Sequence, residues 1–114
     1  MLQEDQITGE CPPITAYGPG FFVVGRDRFD GAVAITSDAG LVPITNSVAM
    51  VEDWLGRYEV VLVGSGDARL VDDGLKDFLE QGLEVMASDA AARTFNVCLA
   101  EKRKVAALLQ PPTV

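Results

Sequence analysis

The run Val60-Val61-Leu62-Val63, bounded by Glu59 and Gly64, constrains this chain more than any other feature. A strand with one wet face alternates apolar and polar residues. A short, continuous, β-branched run instead predicts a strand over 59–63 buried on both faces. Such a strand needs a covering layer on each side, and helical patterns stand both before and after it. Upstream, Thr45, Asn46 and Ser47 are competent helix caps. Val48, Val51, Leu55 and Tyr58 then recur at helical spacing with Trp54 beside them, which predicts a helix over 47–58 with Asp53 and Arg57 paired on its wet side. Downstream, Gly64-Ser65-Gly66 makes a tight exit. Asp72 is expected to cap a helix through about Gln81, with Leu75, Phe78 and Leu79 facing inward. Gly82 suits the left-handed position after that helix, with Leu83 closing onto Phe78. Leu83–Met86 reads as the next strand, and this order predicts a right-handed parallel crossover.

The segment before this unit is β-rich. Ile14–Tyr17 and Phe21–Val24 read as strands joined by Gly18-Pro19-Gly20, where Pro19 and Gly20 suit the central positions of a type II turn. A polar reversal over Gly25–Arg28 leads to a strand predicted over Phe29–Thr36. Ser37–Gly40 is a turn by composition, and Leu41–Ile44 a short extended piece. Asp89 is expected to cap a third helix ending near Lys102, with Phe95, Cys98 and Leu99 on its apolar face. Val105–Leu109 fits either a continuation of that helix or a final strand, and the strand is preferred because Pro111 and Pro112 follow. The whole is a mixed α/β (α+β) domain over 13–114 with about three helices, preceded by a polar arm over 1–12.

Hydrophobic residues make up 48% of the 114 positions, enough for one core. The net charge of −8 repels phosphate backbones and anionic lipid, so neither nucleic acid nor a membrane surface is an expected partner. Residues 1–11 contain Glu4, Asp5 and Glu10 and lack the apolar stretch of a secretory leader. No apolar run approaches the roughly 20 residues of a membrane helix. Cys11 and Cys98 do not form a disulfide framework, and a reducing cytoplasm is the simplest compartment. The chain has no histidine. That removes the usual triads, Cys-His dyads and His-containing zinc sites, so no catalytic residue, metal or cofactor is assigned.

Several clusters remain as candidate sites, each with a plainer structural role beside it. Gly64 and Gly66 follow a buried strand as a phosphate loop would, but Arg69 replaces the third glycine of a dinucleotide fingerprint, which favours a simple turn. Tyr17 beside the rigid turn Gly18-Pro19-Gly20 is a candidate partner anchor, or a half-buried aromatic. Arg93, Thr94 and Asn96 lie near the start of the third helix, where they either hold an anion or tie the helix to nearby loops. Asn is a poor helix-interior residue, so its presence calls for a reason. Arg93, Lys102, Arg103 and Lys104 are four of only nine cations. They form a basic edge suited to an acidic partner, while Lys102 also suits a helix C-terminus. The expected function is a non-catalytic protein-interaction module, with an anion-binding protein or weak enzyme built on Arg93, Thr94 and Asn96 as the alternative.

Ile14-Thr15-Ala16-Tyr17-Gly18-Pro19-Gly20 and Phe22-Val23-Val24 resemble the opening of a small-domain family of unknown biochemical function. The likeness continues through Leu62–Gly66, Gly82–Met86, Arg93–Val97, Leu99–Glu101 and Arg103–Leu108. That family includes bacterial and archaeal single-domain proteins and the mitochondrial respiratory complex I assembly factor three. The resemblance implies a three-layer β/β/α domain and a role near assembly of a membrane protein complex, with a protein partner from that complex. This chain departs from the family in reading Met86-Ala87-Ser88-Asp89, where Thr-Gly usually follows a Met-Asp pair. It also departs at Ala92 for a cysteine, Phe95 for a tyrosine, and Lys102 for the glycine of Glu-Gly-Arg. A reaction run by that cysteine or hydroxyl is therefore not open to it.

Overall fold

The computed structural model describes residues 11–66 and 73–113. Its strands are β1 (Ile14–Gly18), β2 (Phe21–Val24), β3 (Asp27–Asp30), β4 (Val33–Thr36), β5 (Gly40–Val42), β6 (Val60–Ser65), β7 (Leu83–Met86) and β8 (Val105–Gln110). The helices are α1 (Ser47–Leu55), a 3-10 helix (Asp73–Gln81) and α2 (Ser88–Ala100). The strands form an antiparallel three-stranded sheet, β1-β2-β3, and a mixed five-stranded sheet, β5-β4-β8-β6-β7. β6 runs parallel to both β7 and β8, and β8 runs antiparallel to β4.

The apolar run does what its pattern requires. Val60 and Leu62 enter one core, Val61 and Val63 the other. β8 repeats the division, with Val105, Ala107 and Leu109 on one side and Ala106 and Leu108 on the other. One face of the large sheet is covered by α1 and the 3-10 helix through Val51, Trp54, Leu75 and Phe78. The other is covered by the small sheet, through Ile14, Phe22 and Val24, and by α2, through Ala91, Ala92, Phe95 and Cys98. The expected β/β/α layering is present, with α2 beside the small sheet.

Several local expectations are corrected. The strand predicted over Phe29–Thr36 is two strands in different sheets. Gly31 sits between them at φ +86 and donates its N–H to Gly20 O at 2.8 Å, so the chain turns there from one layer into the other. The polar reversal is shorter than predicted, since Asp27 and Arg28 already belong to β3. α1 stops at Leu55, and Tyr58 is buried from the turn that follows. Its buried face is Val51 and Trp54, with Val48 39% exposed. Its cap is Asn46, whose side chain accepts from Ala49 N at 3.0 Å.

The segment predicted as an α-helix to Gln81 is a 3-10 helix, and Leu79 faces outward. Asp72 lies outside the described residues. α2 starts two residues earlier than expected. Its N-cap is Ala87, and Asp89 lies in the first turn, where Oδ1 accepts from Ala90 N. Residues 1–10 of the predicted arm lie outside the described residues, but Cys11 is buried in the core. β8 resolves the ambiguity of 105–109 in favour of a strand, central in the sheet. A strand beside β6 is buried on both faces and matches its apolar, polar-free sequence better than a helix tail would.

Candidate functional site

α2 ends in a backbone motif that normally uses glycine. Lys102 takes φ +60, its N–H donates to Leu99 O, and Arg103 N donates to Cys98 O. These two bonds define a Schellman stop. The chain then returns at once to the sheet. Lys104 O accepts from Glu59 N and Val60 N, and Lys104 N donates to Glu59 Oε1. Val105 N donates to Ser37 Oγ, and Ser37 N to Val105 O. The backbone of 102–104 is thus fastened at both ends while the three basic side chains stay exposed.

Beside this connection lies an open groove of about 660 Å³. Cys11, Pro13, Leu99 and Ala100 give it an apolar lining. Lys102, Arg103 and Lys104 line it as well, and so do Ser37, Asp38 and Asn96. Asp38 is fixed by Tyr58, whose hydroxyl donates to Oδ1 at 2.7 Å, and by Thr36, whose hydroxyl donates to the same oxygen at 3.0 Å. The Tyr58 hydrogen bond is the main cause that lowers the Asp38 pKa, so the group stays ionised. Burial, and then the bond to Asp38, pushes the Tyr58 phenol up. Burial raises the Cys11 thiol to about 11 and also raises Cys98. Both cysteines are free, and neither is a ready thiolate at neutral pH.

The candidate residues named from sequence do not gather in one place. Arg103 and Asn96 line the groove, but the Asn96 amide is engaged elsewhere. Its Oδ1 accepts from Ile14 N at 2.9 Å and its Nδ2 donates to Ile14 O at 2.8 Å, which clamps α2 to β1. Thr94 Oγ1 contacts Met86 Sδ at 3.6 Å. Arg93 is exposed, with Asp89 at 3.9 Å. Tyr17 is 39% exposed at the end of β1. Pro19 is exposed, and Gly20 takes φ +80 with its N–H on Pro112 O, so this turn braces the C-terminal segment. At Gly18 an added Cβ would meet the Phe21 ring at 2.5 Å.

Gly64 and Gly66 also serve the fold. An added Cβ at Gly64 would meet Leu109 Cδ2 at 2.8 Å and Ser88 Oγ at 2.9 Å. Gly66 donates its N–H to Ser88 Oγ at 2.8 Å, and Gly66 O accepts from Ser88 N. Ser88 Oγ donates in turn to Gln110 O. The backbone donor a phosphate would need is already used. Ser88, Asp38 and Tyr58 were missed as linked groups because their partners lie 20 to 22 residues away in sequence. Among the described residues, no group of three or more Cys, Asp or Glu side chains is placed to hold a metal ion. None of the described helices is long and apolar enough to cross a membrane.

The profile of a family described as protein of unknown function (DUF498/DUF598) matches residues 14–110. An uncharacterized protein of Rhodobacter capsulatus is 36% identical over 105 residues, covering 87% of this chain and 84% of its own. The crystal structure of an outer membrane protein from Bartonella henselae is similar at a TM-score of 0.74 and 32% identity, over 91% of this chain and 98% of that one. A Bordetella parapertussis protein is similar at 0.71 and 31%, over 90% and 97%. The Mth938-like domain of a Bordetella pertussis protein is similar at 0.66 and 26%, over 88% and 85%.

Proposed function

We propose, from the premise that this chain belongs to the DUF498/DUF598 family of proteins of unknown function, that it is a non-catalytic protein-interaction module that docks its partner in the groove beside Lys102–Lys104. The observation that carries this reading is the local inversion of charge. Three consecutive cations border an apolar groove on a chain whose net charge is −8. A concave apolar wall with a charged rim is the usual anatomy of a docking site. The chemistry around it supports binding over turnover. The chain has no histidine, and burial keeps the groove's one thiol protonated.

We further propose an accessory role in assembly of a membrane protein complex, exercised from the cytoplasm. Two free buried thiols fit a reducing compartment. The resemblance to a family with a respiratory complex assembly factor supports the assembly role. A photo-reactive amino acid at Ala100, in the groove, tests the docking surface in living cells. It is expected to give a discrete protein adduct that Arg103→Glu abolishes. The same probe at Glu52, exposed on α1, is expected to give none. Identical adducts from both positions would refute the reading.

A further inference from the structure

We infer that the groove receives an extended peptide segment of the partner that carries a carboxylate next to an apolar side chain, with the carboxylate against Lys102–Lys104 and the apolar group on Pro13 and Leu99. This rests on the docking reading and adds the chemistry of what docks. The cations are exposed and adjacent in sequence, so they present a short strip of positive charge. The rest of the domain is acidic, and charges separated by more than about 8 Å are largely screened at physiological salt. An acidic segment is therefore attracted only where it lies against the strip itself. Arg103 contributes a planar fork that suits a carboxylate.

Carboxylates surround the strip as well, and they limit where a ligand carboxylate can lie. Glu59 is turned back onto Lys104 N, and Glu101 is exposed next to Lys102. Asp38 lines the groove with Oδ1 already holding the Tyr58 and Thr36 hydroxyls. A fixed negative charge there repels a second carboxylate and favours a backbone or side-chain N–H. Ser37 N donates to Val105 O, so Asp38 and Lys104 each stand one residue from the same bond, and the bound segment carries its donor close beside its carboxylate. The apolar wall needs an apolar group to cover it, which a lone inorganic anion does not provide.

A displayed library of random 12-residue peptides, selected on the purified full chain, tests this. Enriched peptides are expected to pair acidic residues with an apolar one, and to lose about tenfold or more in affinity to Arg103→Glu/Lys104→Glu, an exposed pair whose reversal leaves the core intact. Circular dichroism of the variant checks that it is folded. Asp38→Asn is expected to admit peptides with a second acidic residue beside the first, and unchanged exclusion of those peptides overturns the role assigned to Asp38. Groove-dependent peptides that are neutral or basic overturn the inference while leaving the docking surface in place. Peptides that bind wild type and the double reversal equally, or no enriched peptide at all, remove the surface itself.

Discussion

Asn96→Ala is expected to destabilise the domain by about 2 kcal/mol, because the amide is a two-bond clamp between elements 82 residues apart. Each hydrogen bond contributes roughly 0.5–1.5 kcal/mol net, and removal leaves both Ile14 backbone groups without a partner. Asn96 is only half-buried, so water partly replaces it and the total stays in the lower half of the possible range. Urea denaturation measures the change directly. For a domain of this size it corresponds to a fall in Tm of roughly 4 °C per kcal/mol.

Asn96→Asp sharpens the test because it keeps the shape. The carboxylate still accepts from Ile14 N but faces Ile14 O with a second acceptor. It is expected to cost as much as Ala at neutral pH. Only the protonated acid donates to Ile14 O, so the folded state raises the pKa of the introduced carboxyl above the ordinary value of about 3.9. A raised folded pKa means that the restored stability is fully present below the unfolded value and is lost as pH rises through the folded one. The stability gap to wild type is therefore expected to narrow in acid. A loss below about 0.5 kcal/mol for both variants, the scale of an ordinary surface change, or a gap that ignores pH, would refute the clamp.

Three further outcomes follow from contacts described above. Ser88→Ala is expected to cost about 2–3 kcal/mol in urea denaturation, since a fully buried hydroxyl serves both Gly66 N and Gln110 O. Lys102→Gly is expected to stabilise by about 0.5–1 kcal/mol, as relief of a left-handed non-glycine residue exceeds the added chain entropy; a lower Tm would contradict that balance. Tyr58→Phe is expected to raise the Asp38 pKa toward its ordinary value, read by carbon NMR titration of the carboxyl. Because the wild-type pKa is lowered, the stability this pair contributes is present above the unfolded value and is lost as pH falls through the folded one, and Tyr58→Phe is expected to flatten that loss.

The amino-acid pattern alone determined the frame of the molecule. A doubly buried run at 60–63, helical spacing on either side and punctuating glycines are local signals, and each reports the layer its residues must face. The Tyr17–Gly20 turn and the positive-φ stop at Gly82 were legible for the same reason. Only the tertiary structure decided where the layers change and which side chains meet. Gly31 looks like any strand glycine until its N–H is seen on Gly20 O. Asn96 was suspicious in a helix, but its partner Ile14 stands at the other end of the chain. The groove joins Cys11 and Pro13, Ser37 and Asp38, and residues from Asn96 to Lys104 at the end of α2, which are brought together by sheet pairing and helix docking. Periodicity encodes which face is wet, whereas a site depends on distances between segments that periodicity does not relate.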